Sequence, residues 1–189
     1  MSNTEDIQFI AKFNAGDAKS LEFLIQKYLK SIYNFFYRHL NNSQDAEDLT
    51  QQTFLKTWKN LDKFDTRLNF KVWLFSIAHN SLIDFFKKKK TIPFSEFTDD
   101  EDNNPVIENI QDPEPLPSQL FCDPNLAQKL ETALEKIPSK YKEILLLRYF
   151  EEFSFNEIAQ TLKEPLNTIK SRHRRALERI RKEILEPPL

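Results

Sequence analysis

Residues 153–182 read "FSFNEIAQTLKEPLNTIKSRHRRALERIRK". Two short signals organise this stretch. Ser154 and Glu157 stand at the spacing of a capping box, and Phe153 with Ile158 flank them as a hydrophobic staple. Together they start a short helix that ends near Leu162. Lys163-Glu164-Pro165 then break the chain. Proline suits the first turn of a helix, so the next helix is expected to begin at 165–167 and run to about Leu185. A short capped helix, a tight break and a longer basic helix make a helix-turn-helix.

The second helix carries Lys170, Arg172, Arg174, Arg175, Arg179, Arg181 and Lys182 within thirteen residues, opposed by Glu178. At about 100° per residue, Ile169, His173, Ala176, Leu177, Ile180 and Ile184 share one arc and are expected to pack on the domain. Asn167, Thr168, Ser171, Arg174, Arg175, Glu178 and Lys182 lie opposite, with Lys170, Arg172, Arg179 and Arg181 on the flanks. Most charge runs on helices are merely solvated faces. Here the neutralising acids are nearly absent, and a capped helix and turn precede the run. That is the layout of a recognition helix, which reads base edges with its N-terminal turns and holds phosphates with its flanks. The candidate DNA-binding residues are Asn167, Thr168, Lys170, Ser171, Arg172, Arg174 and Arg175. Residues 179–182 lie past the reach of base edges and suit phosphate or solvent.

The rest of the chain limits what accompanies this helix. Its 189 residues include one glycine, Gly16, and seventeen phenylalanines. A phosphate-cradling loop or a dinucleotide fingerprint needs several glycines, so those classes are excluded and an all-α fold is expected. One cysteine, Cys122, rules out an intramolecular disulfide and fits a reducing compartment. His39, His79 and His173 have no second ligand at metal spacing, so no metal and no cofactor are expected. The N-terminus has no basic segment followed by an apolar run, and no stretch reaches the ~18 apolar residues of a membrane span. A cytoplasmic protein without membrane insertion is expected.

Net charge is −2, but it is segregated. Residues 1–90 carry +4, residues 91–125 carry −9 with neither Lys nor Arg, and residues 126–189 carry +3. The acidic block also holds six of the ten prolines. High net charge and proline disfavour a packed core, so 91–125 is expected to be a linker between two helical domains, 1–90 and 126–189. Fully extended, thirty-five residues reach roughly 115 Å, ample to let two small domains occupy separate sites.

In the first block, helices are expected at about Thr4–Asn14, Ala18–Leu40, Ala46–Asn60 and Phe70–Lys88. The third places Ala46, Leu49, Thr53, Phe54 and Trp58 on one side. The fourth is apolar on more than one face and is expected to be central. Its closing lysines, Lys87 to Lys90, suit a helix C-terminus. In the second block, helices are expected at Leu126–Lys136 and from Pro138 to about Phe150, ahead of the helix-turn-helix.

At this point the residues resemble a family. "LEKIPSKYKEILLLRYFEEFSFNEIAQTLKEPLNTIKSRHRRALERIRK" is similar to the C-terminal domain of the extracytoplasmic-function (ECF) sigma factors of bacterial RNA polymerase. "DAEDLTQQTFLKTWKNLDKF" and "FKVWLFSIAHNSLIDFFKKKK" resemble their N-terminal domain, and "AGDAKSLEFLIQKYLKSIYNFFYRHL" its opening segment. The resemblance implies an RNA polymerase sigma factor that directs transcription initiation. Its partners would be core RNA polymerase, promoter DNA and an anti-sigma factor.

Residue by residue, the resemblance implies core polymerase binding for Asp48, Gln51, Gln52 and Phe54. Asp48 and Gln51 lie off the Leu49/Thr53 stripe and are expected at the interface, whereas Trp58 is expected in the core. The −10 element falls to Lys63, Phe64 and Arg67 of the loop Leu61–Asn69 and to Trp73, Asn80 and Lys87 of the fourth helix. Phe64 with two cations suits capture of an unstacked base. Trp73 fits either the core or a DNA contact. The −35 element falls to the helix at 166–185. The family often has glycine where Lys163 stands and a small apolar residue where Glu164 stands, which implies a looser or differently shaped turn. His173 occupies a usually apolar slot and is expected to be a satisfied histidine at the core edge.

No catalytic residue is expected, because the acids that a metal-dependent nucleic-acid enzyme would need cluster only in the linker. The rival reading is a dimeric helix-turn-helix regulator that works without polymerase. It gives no role to the first block.

Overall fold

The computed structural model describes residues 3–89 and 124–185. Among them, every regular element is helical: α1 Asn3–Asn14, α2 Lys19–Leu40, α3 Ser43–Asn60, α4 Phe70–Lys89, α5 Pro124–Lys136, α6 Ser139–Leu145, α7 Phe155–Leu162 and α8 Leu166–Leu185. The expected linker, 91–125, lies outside the described residues except for Pro124 and Asn125, which open α5. Packing divides the chain into two compact units. The first contains α1–α4, the second α5, α6, α8 and most of α7.

Local chemistry sets the element ends of the first unit. Gly16 takes φ 100°, a left-handed conformation that glycine adopts at little cost. Asp17 then caps α2, accepting from Ser20 Oγ at 2.7 Å and from the Lys19 amide at 3.1 Å. Asn41, at φ 49°, closes α2 with its N–H on Tyr37 O. Asn42 Oδ1 accepts the Asp45 amide at 3.0 Å and starts α3. So α3 begins at Ser43 rather than Ala46, because the cap sits at the front of the polar turn.

Leu24, Tyr28, Ile32, Phe35 and Phe36 of α2 are buried at helical spacing. Tyr28 and Phe35 meet Phe70 and Phe75 of α4, whose Leu74, Ala78, Leu82 and Phe86 are also buried. Expected to be central, α4 packs on α1, α2 and α3, as α2 packs on α1, α3 and α4. Each fully buried Phe or Leu here contributes roughly 1.5–3 kcal/mol relative to exposure.

The second unit has its own core: Leu130, Leu134, Ile137, Tyr141, Leu145, Ala176 and Ile180, with Tyr149, Leu177 and Ile184 packed against it. The helix from Ser139 does run to Phe150, but its last stretch, Leu146–Phe150, widens to a π-helix. Glu151 N–H closes it on Leu146 O at 3.2 Å. The capping box forms as expected: the Glu157 carboxylate accepts from Ser154 N and Oγ, both at 2.8 Å, and the Glu157 amide donates to Ser154 Oγ at 3.2 Å. Phe153 and Ile158, the staple, are buried.

Candidate nucleic-acid interface

The reading helix begins at its turn. Lys163 adopts φ 56°, and the Glu164 N–H reaches back to Ala159 O at 3.1 Å. These are the marks of a Schellman C-cap with its left-handed residue at Lys163. Lysine therefore takes the conformation for which glycine is usual, and the turn keeps its shape instead of loosening. Glu164 has a partner of its own: its Oε2 lies 2.6 Å from Arg172 Nη1. The ion pair ties the turn to the second turn of α8.

That contact corrects one expectation. Arg172 is expected among the DNA-binding flanks, yet it is 6 % exposed and is directed to Glu164. The other residues fall where the wheel puts them. Ile169, His173, Ala176 and Ile180 are buried. Asn167 and Arg174 are exposed, and Thr168, Lys170, Ser171 and Arg175 are half-buried beside them. Arg174 has only a loose i,i+4 approach to Glu178 at 3.9 Å, which leaves its guanidinium in solvent. Further along, Arg179 lies over the Tyr141 ring at 4.9 Å. His173 is 1 % exposed, inside the core rather than at its edge, with Nε2 3.1 Å from Tyr149 Oη and its ring edge-on to Phe155.

In the first unit the loop before α4 is ordered by its own contacts. Leu61–Lys63 form a 3-10 turn, and Leu68 N–H closes a second turn on Asp65 O at 2.9 Å. Phe64 corrects the expectation of a free ring: it is 7 % exposed, packed on Trp73 at 5.0 Å and on Phe70 at 5.6 Å. Trp73, half-buried, belongs to this same aromatic cluster. Lys63 and Arg67 are exposed at the loop surface. Asp65 holds Arg67 through Nε at 2.9 Å and Nη2 at 2.6 Å. These hydrogen bonds lower the Asp65 carboxyl from 3.8 to about 2 and raise Arg67. The pairing is thus complete above pH 3.8 and is lost as pH falls through about 2. Along α4, Asn80 and Lys87 are exposed on the face that Trp73 begins.

The third surface is on α3. Asp48, Gln51 and Gln52 are exposed, and Phe54 is half-buried. The buried stripe is Ala46, Leu49, Thr50, Thr53 and Thr57. Trp58, expected in the core, is 52 % exposed, and Leu55 is 51 % exposed beside it. Gln51 lines an open groove with Glu47 and Thr50 of α3 and Leu29, Lys30 and Tyr33 of α2. Leu29, Leu55 and Trp58 escape a sequence reading as surface residues because their apolar character reads as core.

Each of the two helical units matches a family of known proteins. Residues 24–92 match the Sigma-70 region 2 family, and residues 127–180 match the Sigma-70, region 4 family. The chain is 31 % identical over 177 residues to "ECF RNA polymerase sigma factor SigW" of Bacillus subtilis (strain 168), covering 93 % of this chain and 94 % of that protein. Two solved structures share the fold. "Structure of CnrH in complex with the cytosolic domain of CnrY" aligns with TM-score 0.70 at 19 % identity, covering 97 % of this chain and 99 % of that one. The sigma factor RpoE in complex with the anti-sigma factor NepR, from Bartonella quintana, aligns with TM-score 0.66 at 24 % identity, covering 90 % and 100 %. With family matches on both helical domains and a relative of this identity along nearly its whole length, the chain belongs to the ECF sigma factors, the promoter-recognising subunits of RNA polymerase.

Proposed function

We propose a division of labour among three surfaces, in a protein that does no chemistry of its own and acts in the cytoplasm. The α3 face of Asp48, Gln51, Gln52 and Phe54 docks on core RNA polymerase. The loop before α4, through Lys63 and Arg67, and the α4 face of Trp73, Asn80 and Lys87 take the −10 element. Phe64 serves that surface as the packed support under Trp73. Asn167, Thr168, Lys170, Ser171, Arg174 and Arg175 of α8 read the −35 element, with Arg172 holding the turn. Strand opening comes from binding energy, as contacts to unpaired bases offset unstacking.

The observation that carries this reading is the two-sidedness of α8. One face is buried to its histidine, while the opposite face opens with short polar side chains and an exposed Arg174. Short side chains at the N-terminal turns let the backbone approach the major groove, where arginine reaches guanine O6 and N7. An anti-sigma partner is also proposed, since the structurally similar sigma factor from Bartonella quintana is bound by one.

The test is run-off transcription with purified core polymerase on a promoter that needs its −35 element. Arg174→Ala and Arg175→Ala should each weaken recognition by roughly 1–3 kcal/mol. Full activity in both variants would remove the −35 assignment. Gln51→Ala should lower core polymerase affinity in a pull-down and leave duplex −35 binding unchanged.

A further inference from the structure

We infer that Asn3, on α1, is a positioning residue for the −10 reading loop, and that α1 therefore works as part of the promoter-opening surface. The inference rests on the reading of that loop given above. An α-helix leaves its first N–H groups without intrahelical partners, and each needs an acceptor. At α4, Asn69 supplies most of them. Its Oδ1 accepts from Lys71 N at 2.9 Å and reaches Val72 N at 3.5 Å, while its carbonyl accepts from Trp73 N at 3.1 Å. The Phe70 N–H remains. Asn3 Oδ1 accepts it at 2.9 Å, and Asn3 Nδ2 donates to Leu68 O at 3.3 Å. One amide thus clasps the backbone on both sides of Asn69 and sets where the loop ends and α4 begins.

The clasp is held from behind. Three residues along α1, Asp6 is 2 % exposed. It accepts from Tyr28 Oη at 2.6 Å and pairs with Lys27, both on α2. Ile10, one turn further, is fully buried. Tyr28 in turn packs on Phe70 at 5.7 Å. So α1 is fixed to α2 by a buried carboxylate, and its first residue is fixed to the loop. The loop surface so supported presents Lys63, Arg67 and Leu68, all exposed. The region 2 match begins at residue 24, so α1 lies outside the matched segment and its contribution is additional to it.

The experiment uses the full chain with core polymerase and compares Asn3→Ala, Asn3→Asp and Arg67→Ala. Amide hydrogen exchange reads the clasp at Phe70. Permanganate reactivity of unpaired thymines reads the rate of promoter opening. Core affinity, −35 duplex binding and thermal unfolding serve as controls. Asn3→Ala should speed Phe70 exchange and slow opening, each by about two- to tenfold, with core affinity and −35 duplex binding unmoved and melting temperature lowered by only a few degrees, about what two hydrogen bonds supply. Asn3→Asp keeps the acceptor for Phe70 and loses the donor to Leu68, so it should fall between Asn3→Ala and the parent. Unchanged Phe70 exchange in Asn3→Ala would overturn the inference. So would slowed opening in Arg67→Ala alongside unchanged opening in Asn3→Ala, a result that leaves the loop's assignment standing. Unchanged opening in both variants would instead remove the −10 reading of the loop, and the inference with it.

Discussion

The two surfaces proposed to face DNA differ in what holds their leading turns. At the turn that leads into α8 the positioning devices are sequence neighbours. The capping box joins Ser154 to Glu157, the left-handed residue is Lys163, and the ion pair joins Glu164 to Arg172. At the loop before α4, local turns and the Asp65–Arg67 pair are joined by contacts from far along the chain. Asn3 reaches Phe70 across 67 residues, and Tyr28 of α2 packs on the same Phe70. A surface fixed by neighbours tolerates damage elsewhere, whereas a surface fixed by distant contacts moves when its core moves.

The largest test breaks the second arrangement. Phe75 is fully buried on α4 and meets Phe35 edge-on at 5.6 Å. Phe75→Ala should cost about 3–5 kcal/mol, a large share of a small domain's stability. Circular dichroism of the full chain should show an early melt of the first domain. The Ile158 and Ile169 amides of the second domain should keep their exchange protection. Loss of protection there would mean that the two cores do not stand alone.

This contrast also sorts what is legible in the sequence. The helices α1–α8 of the described residues, the capping box and the buried face of α8 follow from periodicity and short-range caps, which a linear pattern displays directly. The start of α3 differs from expectation by three residues because the polar turn Asn42–Asp45 carries no apolar periodicity, and its front residue, Asn42, supplies the cap. Phe64 and Trp58 depart from expectation in opposite directions: Phe64 is inside and Trp58 is out. Aromatic identity gives no direction on a loop, and on α3 the small residues Thr50, Thr53 and Thr57 take the buried stripe that a hydrophobicity reading assigns to the larger ones. Asn3 leaves no signal, since its partners are backbone groups distant in sequence.

An intermediate test separates the arginines of α8. Arg172→Ala removes a nearly buried guanidinium and leaves the Glu164 carboxylate unpaired at the start of the helix. It should cost about 1–3 kcal/mol of second-domain stability. Binding of a −35 duplex should weaken, but the slope of log affinity against log salt should stay at the parent value. Arg174→Ala should instead reduce that slope by about one if its guanidinium meets phosphate. If it meets a base edge, specificity at one position should relax. A reduced slope in Arg172→Ala would return that residue to the DNA contacts.

The smallest effect concerns the turn. Lys163 holds a left-handed conformation that costs a non-glycine residue about 1–2 kcal/mol, and glycine there would lose about 0.5–1 kcal/mol in unfolded-chain entropy. Lys163→Gly should therefore stabilise the second domain by about 0.5 kcal/mol, read as a small rise in its melting temperature. Its −35 affinity should not change, because the backbone already has the shape glycine would allow. Glu164→Ala is the counterpart. It keeps the Schellman hydrogen bond, which uses the main chain, but releases Arg172. If Glu164→Ala lowers −35 affinity and Lys163→Gly does not, the turn's shape is a backbone property and its rigidity a property of the ion pair. A destabilised Lys163→Gly would show instead that the lysine side chain makes contacts worth more than the strain it carries.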